Sequence, residues 1–279
     1  MHSALHVLGL LLAASPGTPL EARLDAGLAE HPPGADRASF ASALLVGAPY
    51  RLSPLGEGSG IDPDPRFRLD AFDCVTFVET AMALGSARTV AEAARLLDDV
   101  RYDGPTDYQH RNHYVESQWV PALVRKGWLE PVTRSIGGDG AVRTVKRLDT
   151  ATWDLARRSG HVVSGLEPGN VPVGEFALDV LPLDRLGAIA PRIPDGTVLL
   201  VVREDRASRP SRVTHMGLVV ERPDGSRAFR HASDVPGVER VRDEPLEAFA
   251  RRAARQRWKI VGVSLYRMNE RSPLPTNSR

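Results

Sequence analysis

The chain has 279 residues, 42% of them hydrophobic and 25% charged, a balance that suits a folded globular protein and excludes general disorder. Thirty-six basic against thirty-five acidic side chains leave a net charge of +1, so no global field gathers nucleic acid or an anionic membrane. The single cysteine, Cys74, excludes an intrachain disulfide, and no apolar run reaches the roughly 18 residues that a spanning helix needs.

In chain order, Ala4 to Ala14 has the length of a signal-peptide apolar region, with the small residues Ala13-Ala14-Ser15 near a possible cleavage point but no Lys or Arg ahead of it. Residues 1–17 are read as a leader, which places the protein in the periplasm or cell envelope, or in the cytoplasm if no export follows. Thr18-Pro19-Leu20-Glu21 has the form of a capping box, with Thr18 as cap, Pro19 as first helical residue, and Leu20, Leu24 and Leu28 on one face. Pro32-Pro33-Gly34 breaks this helix, and Asp36 is the expected cap of a second one through Phe40 and Leu44 to Gly47. Ser53 to Pro65 is turn-rich and reads as a surface loop. Asp73 is placed to cap a helix from Cys74 to Ala83 that ends at Gly85. Thr89 with Glu92 opens another to about Val100, and a further helix is expected from Tyr114 to Lys126 despite Pro121.

From 131 to 194 the pattern weakens to a partly irregular insertion with one helix near Trp153. Strand-like runs follow at 197–202, 214–221, 226–233 and 259–266, with a helix at 246–256. Helices first and strands later argue an α+β fold. The expectation is one domain over 18–270, with a disordered tail at 271–279.

Cys74 at a helix N-terminus would feel the positive end of the helix, which favours thiolate over thiol; the bland alternative is a small core residue. The second half offers it a partner. Arg222-Pro223-Asp224-Gly225 is the signature of a three-residue hairpin loop with glycine left-handed, which pairs Arg222 with Ser226. That register sets His231 opposite Gly217 and makes His215 its diagonal neighbour on the same face, whereas a two-residue loop would separate the rings. A thiol, an imidazole base and a group that orients the base are the parts of nucleophilic acyl transfer; two histidines satisfying hydrogen bonds in a half-buried sheet are the plainer reading. His110-x-x-His113 with Asp107 nearby suggests a metal site only weakly, because no His-Glu-x-x-His motif supports it. Neither a Gly-x-Ser-x-Gly elbow nor a phosphate-cradling loop is present.

Gly47-Ala48-Pro49-Tyr50, Leu69-Asp70-Ala71-Phe72-Asp73-Cys74-Val75-Thr76-Phe77-Val78-Glu79, Arg111-Asn112-His113-Tyr114 with Trp119, Thr214-His215-Met216-Gly217-Leu218 and His231-Ala232-Ser233 together resemble, in this order, the motifs of a known family. It is the N-acetylmuramoyl-L-alanine amidase-like family, within the NlpC-type superfamily of papain-fold cell-wall hydrolases. The resemblance implies a papain-like core in which a helical N-terminal half, carrying the nucleophile helix, packs on a C-terminal antiparallel sheet. It implies Cys74 as nucleophile, His215 as base and acid, His231 as the orienting residue, and the Cys74 amide as an oxyanion donor. Tyr50, Asp73, Arg111, His113 and Tyr114 would line the substrate cleft.

Superfamily members that cut between D-glutamate and diaminopimelate carry Asp-Cys-Ser-Gly at the nucleophile, where this chain has Asp73-Cys74-Val75-Thr76. The departure favours cleavage of the amide joining N-acetylmuramic acid, in some relatives the anhydro form, to L-alanine. The endopeptidase activity and a non-catalytic wall-binding module are the alternatives. The implied partners are peptidoglycan fragments (muropeptides), acted on by a monomer without metal or other cofactor.

Overall fold

The structure, a computed structural model, describes residues 18–270, so the leader and tail expectations lie outside the described residues. Four helices form first: α1 (Leu20–Glu30), α2 (Ala35–Leu44), α3 (Cys74–Ser86) and α4 (Val90–Arg101). α1 starts later than its motif implies, with Pro19 in the cap position and no side chain capping it. Nor is Asp36 the cap of α2: Gly34 is, at φ 95°, and Asp36 sits in the first turn. Only a residue at ease in the left-handed region can make that corner, and its amide bonds the Gly85 carbonyl at 2.8 Å. Gly85 therefore does not end α3. A Cβ there would lie 2.8 Å from Ala38 Cβ, so the glycine lets α2 and α3 cross closely, and α3 runs on to Ser86. α4 begins as expected, with the Thr89 hydroxyl accepting from the Glu92 amide.

The helix expected over Tyr114 to Lys126 is two pieces: one π-helical turn, Val115–Trp119, then α5 (Val120–Arg125). The break tolerates Pro121 because it falls at the start of α5, where the missing N–H costs no bond. Next come β1 (Leu129–Pro131), α6 (Thr133–Gly137), β2 (Val142–Leu148), α7 (Thr150–Arg158) and β3 (Gly174–Pro182). Within the segment 131–194, β2 and β3 extend the sheet, while 159–173 between α7 and β3 is mostly turns and bends. α7, around Trp153, was expected; β2 was hidden because it is a charged, largely exposed strand. α8 (Leu186–Ile189), β4 (Thr197–Arg203), β5 (Val213–Glu221), β6 (Arg227–Ser233), β7 (Arg240–Pro245), α9 (Leu246–Ala253) and β8 (Ile260–Met268) complete the chain.

All the strands join one antiparallel sheet in the order β2-β3-β8-β4-β5-β6-β7, with β1 also on β8. Helices preceding an antiparallel sheet make the class α+β. β5 shows the division of labour. Met216, Leu218 and Val220 face the core shared with α1 to α4, while Val219 joins Phe229, α8 and α9 on the other face. The hairpin expected between β5 and β6 forms in the expected register: Leu218 pairs with Arg230, Val219 with Phe229 and Glu221 with Arg227. The Arg222 amide donates to the Ser226 carbonyl at 2.9 Å, with Gly225 at φ 77°.

Candidate active site

Cys74 is the first residue of α3. Asp73 caps that helix by a reciprocal box, its Oδ1 accepting from the Thr76 amide at 2.8 Å while its own amide donates to Thr76 Oγ1 at 3.0 Å. α3 packs against β5 and β6, and this brings Cys74 close enough to the Met216 amide, one residue past His215, for that N–H to favour the thiolate. At the same place β5 carries a bulge. The pairing jumps from Val201 with His215 to Val202 with Val213, so Thr214 is the extra residue and the strand bends there.

The approach to that bulge is anchored from below. Glu116, on the π-helical turn, accepts from the Arg212 amide at 2.8 Å and from Arg212 Nε at 2.8 Å, both side chains being buried. A π-turn shifts side chains off the ordinary helical grid, which here turns a carboxylate toward the start of β5.

The two imidazoles project together. His215 Nε2 lies 2.7 Å from His231 Nδ1, with the rings nearly perpendicular at 88°. Phe229 stacks on His231 at 4.7 Å and meets His215 edge-on at 5.8 Å, so neither ring can swing freely. Gly217 makes room for them: a Cβ there would stand 2.8 Å from His231 Cβ and closer still to the Arg230 carbonyl.

One participant was not foreseen. A carboxylate oxygen of Glu244 lies 3.5 Å from His231 Nε2, a buried nitrogen with no other partner among the described residues. At that length the contact is a weak hydrogen bond at best. Arg252 clamps the same carboxylate at 2.9 and 2.6 Å. Burial pushes the Glu244 carboxyl up, but hydrogen bonds from Arg252 and His231 prevail and hold it at about 2, so it is an anion at any working pH. An anion opposite Nε2 keeps the His231 proton there. Nδ1 must then accept, His215 Nε2 must donate, and His215 Nδ1 is left as the free base.

Burial sets the resting charges. It pushes the Cys74 thiol up, and the Asp73 carboxylate adds to this, outweighing the Met216 amide. It lowers His215 well below its ordinary value, with His231 adding repulsion, and lowers His231 as well. The resting pair is therefore neutral thiol and neutral imidazole, contrary to the thiolate expected from the helix terminus: the cap that starts α3 sets a carboxylate beside the sulfur. His215, paired with Val201 and set against Phe229, lies on the α8 and α9 side of the sheet, whereas Cys74 packs with the α1 to α4 core, and among the described residues no hydrogen bond joins the sulfur to that imidazole.

Of the expected cleft residues, Tyr50 and Asp73 stand beside the thiol. The Tyr50 amide bonds the Glu239 carbonyl at 2.8 Å, and its phenol, raised to about 12 by burial, feels Cys74, Asp73 and the exposed Asp234. The other three are engaged with partners inside the chain, although Tyr114 also borders a hollow beside β5. Arg111 is spent on Glu57 at 2.7 Å and Asp62 at 2.9 Å, which ties the 53–65 loop down. His113 Nε2 bonds the Tyr108 carbonyl at 2.6 Å, and burial lowers its imidazole to about 4. Tyr114 packs on Trp153, and its hydroxyl accepts from the Val163 amide at 3.0 Å. His110 turns to Asp107 at 2.7 Å, away from a metal site shared with His113. Among the described residues no group of three potential metal ligands converges, and no helix is long and apolar enough to cross a membrane.

Comparison with known proteins identifies the family. The sequence profile of a family described as N-acetylmuramoyl-L-alanine amidase-like matches residues 40–255. A solved structure from Legionella pneumophila, 21% identical, superposes with a TM-score of 0.74 over 91% of this chain and 97% of that one. A second, an N-acetylmuramoyl-L-alanine amidase from Bacteroides uniformis, is 22% identical with a TM-score of 0.65 over 85% of this chain and 99% of that one. At such identities these likenesses bear on the fold. No curated protein matches the chain in sequence.

Proposed function

The chain belongs to the N-acetylmuramoyl-L-alanine amidase-like family, and from that premise we propose that it is a cysteine amidase cleaving the bond between N-acetylmuramic acid and L-alanine in peptidoglycan fragments. The observation that carries the mechanism is the 2.7 Å contact between His215 and His231, on the strand whose next amide, that of Met216, reaches the Cys74 sulfur. Cys74, His215 and His231 are then nucleophile, base and orienting residue of a papain-like site.

In this reading the Cys74 sulfur attacks the lactyl carbonyl of muramic acid as its proton passes to His215 Nδ1. The C–N bond of the tetrahedral adduct breaks, and His215 returns that proton to the departing nitrogen of L-alanine. Water, deprotonated by the same imidazole, attacks the thioester, releases the lactyl carboxylate and restores the thiol. His231 and Glu244 keep the lone pair of His215 on Nδ1 throughout, and the positive charge that forms on His215 is offset by the Glu244 carboxylate. The leader-like residues 1–17 support action in the periplasm or cell envelope.

The test is mass spectrometry of products from a defined muropeptide. The expected products are a free muramic acid end and a peptide beginning with L-alanine, lost by more than about a thousandfold in Cys74→Ser with the melting curve unchanged. A cut between D-glutamate and diaminopimelate, or full activity in the variant, refutes the reading.

A further inference from the structure

We propose that a hollow beside the first residues of β5 is a carboxylate-binding subsite for the peptide stem of the substrate, an inference that rests on the amidase reading. The hollow, of about 350 Å³, is lined by Tyr114, His161, Arg203, Arg209, Thr214 and Trp258, among others. Thr214 and Trp258 also line a smaller one that includes His215 and His231, so the two open side by side along the strand bearing the base.

Its charge is local, since the whole chain carries only +1. Arg203 Nη2 donates to the Ser211 carbonyl at 2.8 Å, but Arg203 Nε is buried without a hydrogen-bond partner. Burial lowers the Arg203 guanidinium, and the like charges of Arg209 and Arg206 lower it further, outweighing the more weakly acting Asp205 and Glu116. Nearby acids are already engaged: Asp205 with Lys146 at 2.5 Å, Glu204 with Arg206 at 3.1 Å, and Glu116 with Arg212. Among the described residues neither Arg203 nor Arg209 has an ion-pair partner. Positive charge crowded at a concave site and left unneutralised is completed by an anion from outside, and guanidinium forks suit the two oxygens of a carboxylate.

The chemistry of the substrate says which half enters. The carboxyl group of muramic acid is consumed in the scissile amide, so the sugar brings no anion, whereas the stem peptide beyond L-alanine does. The hollow would hold the departing peptide by its second residue, with the half-exposed Trp258 as an apolar wall.

The experiment compares N-acetylmuramoyl-L-alanyl-D-glutamate with its D-isoglutamine counterpart, in which the α-carboxyl is an amide; these and the dipeptides below all carry a γ-methylamide, so that the acid has one carboxylate and its counterpart none. For the native enzyme kcat/KM should be about tenfold or more in favour of the acid. Arg209→Gln, at an exposed position, and Arg203→Gln should erase that preference through KM, leaving kcat and the amide substrate nearly unchanged; Arg209→Glu should reverse it. In parallel, calorimetry on Cys74→Ala protein should find L-alanyl-D-glutamate bound about tenfold tighter than L-alanyl-D-isoglutamine, a difference lost on adding Arg209→Gln. That arm reads the hollow even if neither muramoyl compound is cleaved, which separates failure of the subsite from failure of the amidase reading. Equal affinities for the two dipeptides, equal losses on both substrates in Arg209→Gln, or inorganic phosphate binding as tightly as the acidic dipeptide would each overturn the proposal.

Discussion

Replacing Glu244 by leucine removes the acceptor facing His231 Nε2 while keeping much of the side chain's bulk. The Arg252 clamp is lost too, but that side chain is 35% exposed and can turn to water, so the damage is concentrated on the imidazoles. Without the anion His231 is free to carry its proton on Nδ1, and His215 is then driven to the tautomer protonated on its own Nδ1, the atom that the proposed mechanism uses as base. A hydrogen bond to a charged group contributes about 1.5–3 kcal/mol. The contact is long, 3.5 Å, so the lower half of that range applies, equivalent to a loss of roughly tenfold to fortyfold in kcat. Steady-state rates from pH 5 to 9, read beside thermal melts, make the test. Glu244 is ionised throughout that interval, its carboxyl being held at about 2, so it adds no titration of its own. Loss of the anion should move the acid limb of kcat/KM to lower pH, because His215 becomes harder to protonate; Glu244→Gln, which keeps an acceptor, should retain more activity than leucine. If Glu244→Leu stays within twofold of the native rate, or loses activity only in proportion to its folded fraction with the acid limb unmoved, the tautomer argument is wrong.

Gly217→Ala should cost about 1–3 kcal/mol and most of the activity, because the new methyl meets the Arg230 carbonyl, Phe229 and His231 together; melting temperature and rate check this. Glu116→Ala leaves Arg212 buried and unpaired, so a loss of about 3–5 kcal/mol is expected in urea titration, partly recovered when Arg212→Ala is added. His113 is held at about 4 in the fold against 6.5 ordinarily, so the unfolded chain takes up the proton first. Its contribution is complete above 6.5 and is lost as pH falls toward 4, by at most about 1.4 kcal/mol per pH unit. His113→Asn should therefore show a smaller drop in melting temperature between pH 7 and pH 5 than the native protein.

What could be read ahead of the structure was what local chemistry determines. The turn Pro223-Asp224-Gly225 admits one register, and that register alone puts His215 and His231 on one face. Asp73 and Thr76 likewise specify where α3 begins, and so where Cys74 sits. Glu244 was invisible because β7, Arg240–Pro245, has four charged residues and a proline in six positions. Such a strand reads as loop, yet charge and proline are what an edge strand uses against unwanted pairing. Glu244 enters the site only through pairing opposite Phe229. Arg111 and His113 look like solvent-facing polar residues in sequence; their partners Glu57, Asp62 and the Tyr108 carbonyl are supplied by folds of the loops that no periodicity records.

The thiol shows most clearly where a local rule yields to its surroundings. A helix terminus offers a sulfur about half a unit of positive charge, an effect of at most ~2 kcal/mol even when partly buried. Here the same terminus is capped by a carboxylate, a second carboxylate, Asp234, acts on the sulfur as well, and burial opposes any charge at all. The imidazole is displaced in the other direction by the same burial. In the proposed mechanism the proton therefore stays on sulfur while the site is empty, and an ion pair forms only as negative charge develops on a bound carbonyl. At that moment the Met216 amide beside the sulfur and the Glu244 anion behind His231 both act on charges that did not exist before. Each is in place before the substrate arrives and is strongest in the transition state, which is where an interaction must strengthen if it is to accelerate the reaction rather than merely tighten binding.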